Sequence, residues 1–232
     1  ASVDRMDKRT SGSVGAVIID LDGVLVDTEP WWAEARTEVA RRHGATWTPE
    51  DESSVKGANS REWASAMHDR LGLDATAPGI EREVVGAMLD RYRREPAPRI
   101  DGGVAAVRRL AGRMPLAVAS SAHPDVIRAA LRSLGLAEAF DMVVSGDEVP
   151  RGKPEPDVYL EAARRLAVDP GRCLVVEDSG SGVMAARSAG MRVVWVGPAG
   201  DAARGRELGA DLVLASLDGL SVETIEELVG GA

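Results

Sequence analysis

An α/β fold, with a parallel sheet interrupted after its first strand by an all-helical insert, is what the amino-acid sequence predicts, and three observations carry it. Val17-Ile18-Ile19 is a short β-branched run with the pattern of a central parallel strand buried on both faces. From residue 31 to 96 apolar residues recur at helical spacing with no strand among them. From Ile100 onward strand and helix patterns alternate regularly, the signature of a parallel sheet. The expected division is a core of residues 14–30 and 97–232 and a helical domain of residues 31–96.

Asp20 and Asp22 follow the first strand directly. Two residues apart, their side chains leave the same side of an extended chain, and Gly23 lets the backbone turn just beyond them. Open α/β sheets bind ligands at the carboxyl ends of their strands. Like charges gathered at such an edge require a cation, and a hard, oxygen-seeking one such as Mg²⁺ suits carboxylates. In isolation an ordinary Asp-Gly turn would read the same way.

The insert opens with Pro30, which suits a first helical position, and Trp32, Ala35 and Val39 share one face before Gly44 stops the helix. Thr48 and Pro49 signal a second start. A third helix begins near Ser60, with Trp63, Met67 and Leu71 at four-residue spacing and Gly72 behind them. A fourth runs from Ile80 to Tyr92 and breaks at Pro96 and Pro98. Four of the five tryptophans (Trp31, Trp32, Trp47, Trp63) fall in this segment, either as the core of a small bundle or as substrate contacts.

In the alternating part, Asp101 is expected to cap the helix carrying Val104, Val107 and Leu110. Leu116–Ala119 reads as a strand ending in Ser120 and Ser121, and Pro124 opens a helix with Ile127, Leu131 and Leu134 as its buried stripe. Met142–Val144 is the next strand. Lys153 sits in a loop ahead of the helix carrying Tyr159, Ala162 and Leu166. Leu174–Val176 delivers Glu177 and Asp178 to a strand end, with Gly180 and Gly182 in the loop that follows. Val193–Val196, Asp211–Leu214 and a helix around Ile225 and Leu228 complete the pattern.

Three strand ends (Asp20 with Asp22, Ser120 with Ser121, Glu177 with Asp178) and the Lys153 loop can therefore meet on one sheet edge. Acidic ends supply metal ligands, a lysine neutralises carboxylate and phosphoryl oxygens, and a serine hydroxyl donates to another oxygen, an inventory that suits phosphoryl transfer. Singly, each has a plainer reading: Ser120 as a helix cap, Lys153 as a solvated lysine, Glu177 with Asp178 as the cap of the next helix.

Composition bounds the partners. A net charge of −9 argues against a nucleic-acid or anionic-membrane surface but not against a small anionic substrate, which responds to local charge. Cys173 is the only cysteine, so no intrachain disulfide forms and a reducing cytoplasm is the expected compartment. No apolar run reaches transmembrane length. Residues 1–13, rich in Ser, Gly and charge, are expected to be a loose tail. A monomer is expected.

With these residues in view, the chain resembles the haloacid dehalogenase-like hydrolases, in the branch of β-phosphoglucomutases and small sugar-phosphate phosphatases. The resemblance runs over nearly the whole chain through Asp20-Leu-Asp22-Gly-Val-Leu-Val-Asp-Thr-Glu29, Ala119-Ser120-Ser121, Gly152-Lys153-Pro-Glu-Pro-Asp157, and Glu177-Asp178-Ser179 with Gly182. It implies a Rossmann-like core with a helical cap domain. It also implies roles: Asp20 as nucleophile, Asp22 as the acid that protonates the leaving oxygen and then activates water, and Ser120 and Lys153 as holders of the phosphoryl group. Mg²⁺ would be bound by Asp20, the Asp22 backbone carbonyl and Asp178, with Glu177 at or near that shell. Lys56-Gly57-Ala58-Asn59-Ser60-Arg61 resembles the family's specificity loop with a one-residue offset. Arg61 would there grip a second anionic group, although an exposed arginine at a helix start looks the same. Ser121, Gly57, Arg61 and Trp32 are the expected substrate contacts.

Two departures bear on the reaction. The mutases carry a His at the place of Trp32, and a Ser, Lys and Asn run where this chain has Ala122, His123 and Pro124. A mutase must shield its phosphoaspartate from water until a sugar returns, so these losses favour hydrolysis. The expectation is an Mg²⁺-dependent phosphatase of small phosphorylated metabolites, sugar phosphates above all. The alternative is a β-phosphoglucomutase interconverting glucose 1-phosphate and glucose 6-phosphate. A dehalogenase would not need Asp22 as an acid, and a phospho-accepting signalling module would be shorter and lack the insert. Trp32, just past the exit from the core, is expected either to gate the site mouth or to fill the bundle core.

Overall fold

Six strands form one parallel sheet in the computed structural model, which describes residues 13–72, 74–197 and 202–230. They are β1 (Ala16–Ile19), β2 (Leu116–Ser120), β3 (Met142–Ser145), β4 (Cys173–Glu177), β5 (Arg192–Val196) and β6 (Leu212–Leu214), in the order β3-β2-β1-β4-β5-β6. Ile19 pairs with Val118 on one side and Val176 on the other, so the three central strands end level. Asp20 and Glu177 then emerge side by side, with Ser120 closing β2 next to them. All but the last residue of the expected tail, and the Leu228 side chain, lie outside the described residues.

Period-two alternation divides β1 between two cores. Val17 and Ile19 pack into the layer of α5 (Asp101–Leu110) and α6 (Pro124–Ser133), while Ala16 and Ile18 pack against α7 (Asp157–Leu166) and α8 (Gly180–Ser188). Both faces covered by helices is what an all-parallel sheet requires. Two further helices are α9 (Ala202–Glu207), which the sequence pattern does not predict, and α10 (Val222–Gly230). No helix among the described residues is long and apolar enough to cross a membrane.

Between β1 and α5 the described residues form four helices and no strand: α1 (Glu29–Arg42), α2 (Pro49–Ser54), α3 (Ser60–Leu71) and α4 (Ala77–Arg94). Thr48 caps α2 and Asn59 caps α3 with reciprocal bonds to Asp51 and Glu62, which satisfies the first free amides of each helix. Trp32, Trp63, Met67, Val84 and Met88 are buried in the same core as Val17 and Ile19, so the insert and that face of the sheet share apolar packing.

Two local expectations are corrected. Asp101 is the first helical residue of α5 and Ile100 occupies the cap position without a side-chain bond, so Asp101 acts through its charge near the helix start. Gly180 and Gly182 lie inside the first turn of α8, where Ser179 is the cap and accepts from the Gly182 amide.

Candidate active site

Lys153 is the hinge of the charge arrangement. Its ammonium lies 2.6 Å from Asp20 Oδ1 and 2.7 Å from Glu177 Oε1, over the Tyr159 ring at 4.9 Å, and all three charged side chains are buried. Burial pushes the Lys153 pKa down, but the two carboxylates outweigh it and hold the ammonium well above its usual range. It is therefore no solvated loop lysine.

Glu177 accepts five hydrogen bonds: Lys153 and the Tyr159 hydroxyl at Oε1, and the Asp178 amide, Ser179 amide and Ser179 hydroxyl at Oε2. Burial alone would raise its pKa; the lysine and these donors bring it below the ordinary value. One lysine thus faces two carboxylates, and Glu177, the better hydrogen-bonded of the two, takes its charge. Asp20 is raised well above the carboxylate range by burial, with Lys153 opposing and Glu177 and Asp178 reinforcing the rise. Asp178 is raised to about 7 by burial and then by Glu177.

Glycines make this crowding possible. Gly23 has φ +80°, and a Cβ there would stand 1.9 Å from Asp178 Oδ2. A Cβ on Gly182 would stand 1.7 Å from Glu177 Oε1.

Carboxylate oxygens of Asp20, Glu177 and Asp178 lie within 4.8 Å of one another. A group of oxygen donors this close, two of them with pKa values pushed up by burial and then by neighbouring carboxylates, fits a hard divalent cation such as Mg²⁺. The hydrogen bonds to Glu177 leave Asp20 and Asp178 as the freer donors, while Glu177 holds the Lys153 ammonium and the Asp178 backbone amide beside them.

Asp22 is held by hydrogen bonds from the Thr28 hydroxyl and the Trp32 side chain, which lower a pKa that burial raises more. Ser120 is buried, and its oxygen accepts from the Ala122 amide at 3.1 Å, leaving its proton free to donate. It does not cap α6, whose cap is His123.

These residues border a cavity of about 460 Å³ closed on the far side by the insert. Asp20, Asp22, Ser120, Ser121, Lys153, Asp178, Gly57 and Trp32 all line it. Ser121 donates its hydroxyl to the Gly57 carbonyl at 2.8 Å, so that pair joins core to insert. Arg61 is elsewhere: it follows the Asn59 cap by two residues, turns away from the cavity and donates to the Val149 carbonyl at 2.8 Å. The expected anion grip on Arg61 is corrected accordingly. Glu62 beside it accepts from the Gly152 amide at 3.1 Å, tying α3 to the Lys153 loop.

Two charged lining residues escaped sequence reasoning, Arg36 and Glu52; Lys56, which also lines the cavity, belongs to the run that resembled the specificity loop. A signal existed for Arg36, a charge four residues after Trp32 on the apolar face of its helix. Glu52 carried none.

Comparison with known proteins agrees with this geometry. Residues 14–190 match the family model described as haloacid dehalogenase-like hydrolase. The chain is 35% identical over 184 residues to a fructose-1-phosphate phosphatase of Escherichia coli, covering 78% of this chain and 95% of that protein. It is 34% identical over 182 residues to a phosphorylated carbohydrates phosphatase of Thermotoga maritima, covering 78% and 83%. In structure it resembles a β-phosphoglucomutase from Clostridium difficile with a TM-score of 0.81 over 94% of this chain and 98% of that one, at 23% identity, a likeness of fold.

Proposed function

Because the chain belongs to the haloacid dehalogenase-like hydrolase family, we propose that it is an Mg²⁺-dependent phosphatase of small phosphorylated metabolites, sugar phosphates first, working through a phosphoaspartate on Asp20. The observation that carries this reading is the meeting of Asp20, Asp22, Lys153 and Asp178 on one wall of a cavity covered by residues 31–96, which serve as the cap.

In the first half-reaction an Asp20 carboxylate oxygen bonds to phosphorus as the ester oxygen departs, taking a proton from Asp22. In the second, Asp22 accepts a proton from water, the water oxygen bonds to phosphorus, and the Asp20–phosphorus bond breaks. Lys153 and the Ser120 hydroxyl face the phosphoryl oxygens and offset charge that builds there. Asp20 and Asp178 would hold Mg²⁺, which neutralises their charge and that of the phosphoryl group. Thr28 and Trp32 keep the Asp22 carboxyl aimed.

Hydrolysis is favoured over mutase chemistry by what meets the substrate. Of the run Ala122-His123-Pro124, Ala122 lines the cavity and offers a methyl group, while His123 and Pro124 begin α6. No polar group there holds a sugar against the phosphoaspartate.

The test is phosphate release from a panel of sugar and polyol phosphates, with Mg²⁺ and with excess chelator, run beside isomerisation of β-glucose 1-phosphate. Mg²⁺-dependent release well above isomerisation is expected. Isomerisation that outpaces release would overturn the phosphatase reading.

A further inference from the structure

The part of the cavity wall formed by α1 and α2 carries an ion pair, its arginine buried and its glutamate half-buried, that the phosphatase chemistry does not use. Arg36 rises from α1 with its side chain 9% exposed and its guanidinium above two indole rings, 5.3 Å from the Trp32 centroid and 5.1 Å from that of Trp63. Its Nη1 donates to Glu52 Oε1, and the Trp47 indole donates to Glu52 Oε2 at 2.7 Å. Arg36 Nε is buried without a partner.

Charge accounting around the cavity gives this pair a consequence. The described lining residues include three cations and five carboxylates. Each cation is already matched: Lys153 by Asp20 and Glu177, Arg36 by Glu52, and Lys56 by Glu29 at 2.6 Å. The transferring phosphoryl group is served at the Lys153 end. A second phosphate or a carboxylate further out would be desolvated against Glu52 or Glu29 with no unpaired cation to receive it, which is costly. An uncharged hydroxyl meets the reverse situation, with arginine donors and glutamate acceptors side by side and indole faces to pack a carbon skeleton against.

Resting on the phosphatase reading, we propose that the Arg36–Glu52 pair, set between Trp32 and Trp63, is the specificity element of the cavity. It selects monophosphates whose other end is uncharged and rich in hydroxyl groups, sugars and polyols, and it rejects bisphosphates and phosphorylated carboxylic acids.

The test compares kcat/KM for a hexose or hexitol 6-phosphate, the corresponding 1,6-bisphosphate, and phosphoglycolate, with p-nitrophenyl phosphate as an ester without hydroxyls. The native enzyme is expected to favour the monophosphate over either competitor with a second anionic group by about tenfold or more. Glu52→Gln, which leaves Arg36 its charge and removes the neutralising one, is expected to move the bisphosphate-to-monophosphate ratio about tenfold toward the bisphosphate. That ratio does not depend on how much enzyme folds. Equal turnover of bisphosphate and monophosphate by the native enzyme, or an unmoved ratio in Glu52→Gln, would overturn the proposal alone. An enzyme that hydrolyses none of these esters would overturn the phosphatase reading and this proposal with it.

Discussion

Lys153 Nζ lies 2.6 Å from Asp20 Oδ1 with the two side chains 3% and 9% exposed. A pair so dry is held by geometry and not by solvent, and its partners depend on one another. The same ammonium serves Glu177, so its loss would strand two carboxylates in the interior.

Lys153→Met is accordingly expected to cost about 3–5 kcal/mol of stability, the range for breaking a buried pair from one side. Adding Asp20→Asn should recover part of that loss, because one of the stranded charges is gone. Urea denaturation of the two single variants and the double variant in chelator measures the coupling, and strictly additive losses would show that the two side chains act independently.

Asp20→Asn is expected to abolish turnover and leave no phosphoenzyme. Asp22→Asn is expected to slow turnover by roughly 10²- to 10⁴-fold, the usual worth of a positioned proton donor. Acid quench followed by hydroxylamine treatment distinguishes the two. A hydroxylamine-sensitive phosphoenzyme in Asp20→Asn would place the nucleophile elsewhere.

The metal-free protein is expected to lose stability as pH rises from about 4 to about 7. An ordinary aspartate ionises near pH 4 in the unfolded chain, whereas Asp178 in the folded chain holds its proton up to about pH 7. Between those values the folded state binds more protons, and stability falls as they are lost. Asp20, raised by burial, works in the same direction. Mg²⁺ favours the ionised carboxyls, so the gain in Tm on adding it should be larger at pH 8 than at pH 5. A gain that is constant with pH, read by calorimetry, would contradict the assignment of Asp178 to the metal.

Trp32 both fills the insert core and bonds to Asp22, so its two roles separate by substitution. Trp32→Ala should cost about 3–5 kcal/mol, as for other large-to-small core changes. Trp32→Phe keeps most of the bulk and loses the indole donor, and should lower kcat by about tenfold, the scale of one hydrogen bond to a charged group. Trp32→His should not install efficient mutase activity, since Ala122 still lines the cavity. An unaltered kcat in Trp32→Phe would reduce Trp32 to a packing residue.

The sequence by itself determined the sheet, the helical insert and the sheet edge where Asp20, Ser120 and Glu177 gather. The β-branched run Val17-Ile18-Ile19 and the strand-helix alternation from Ile100 onward together point to a parallel sheet, and a parallel sheet brings strand ends to one side, so Asp20, Ser120 and Glu177 were legible as neighbours before any coordinate. Local hydrogen bonding likewise announced the caps at Thr48 and near Ser60. Tertiary structure alone decided what the insert presents to the cavity. Arg61 and Arg36 are both arginines on amphipathic helices, and one residue of helical phase, 100° of rotation, separates a side chain that faces a cavity from one that faces a loop. Packing set that phase through Trp32 and Trp63, and it brought Glu52, sixteen residues from Arg36, against its guanidinium. Charges that meet only because two helices pack leave no periodic trace along the chain.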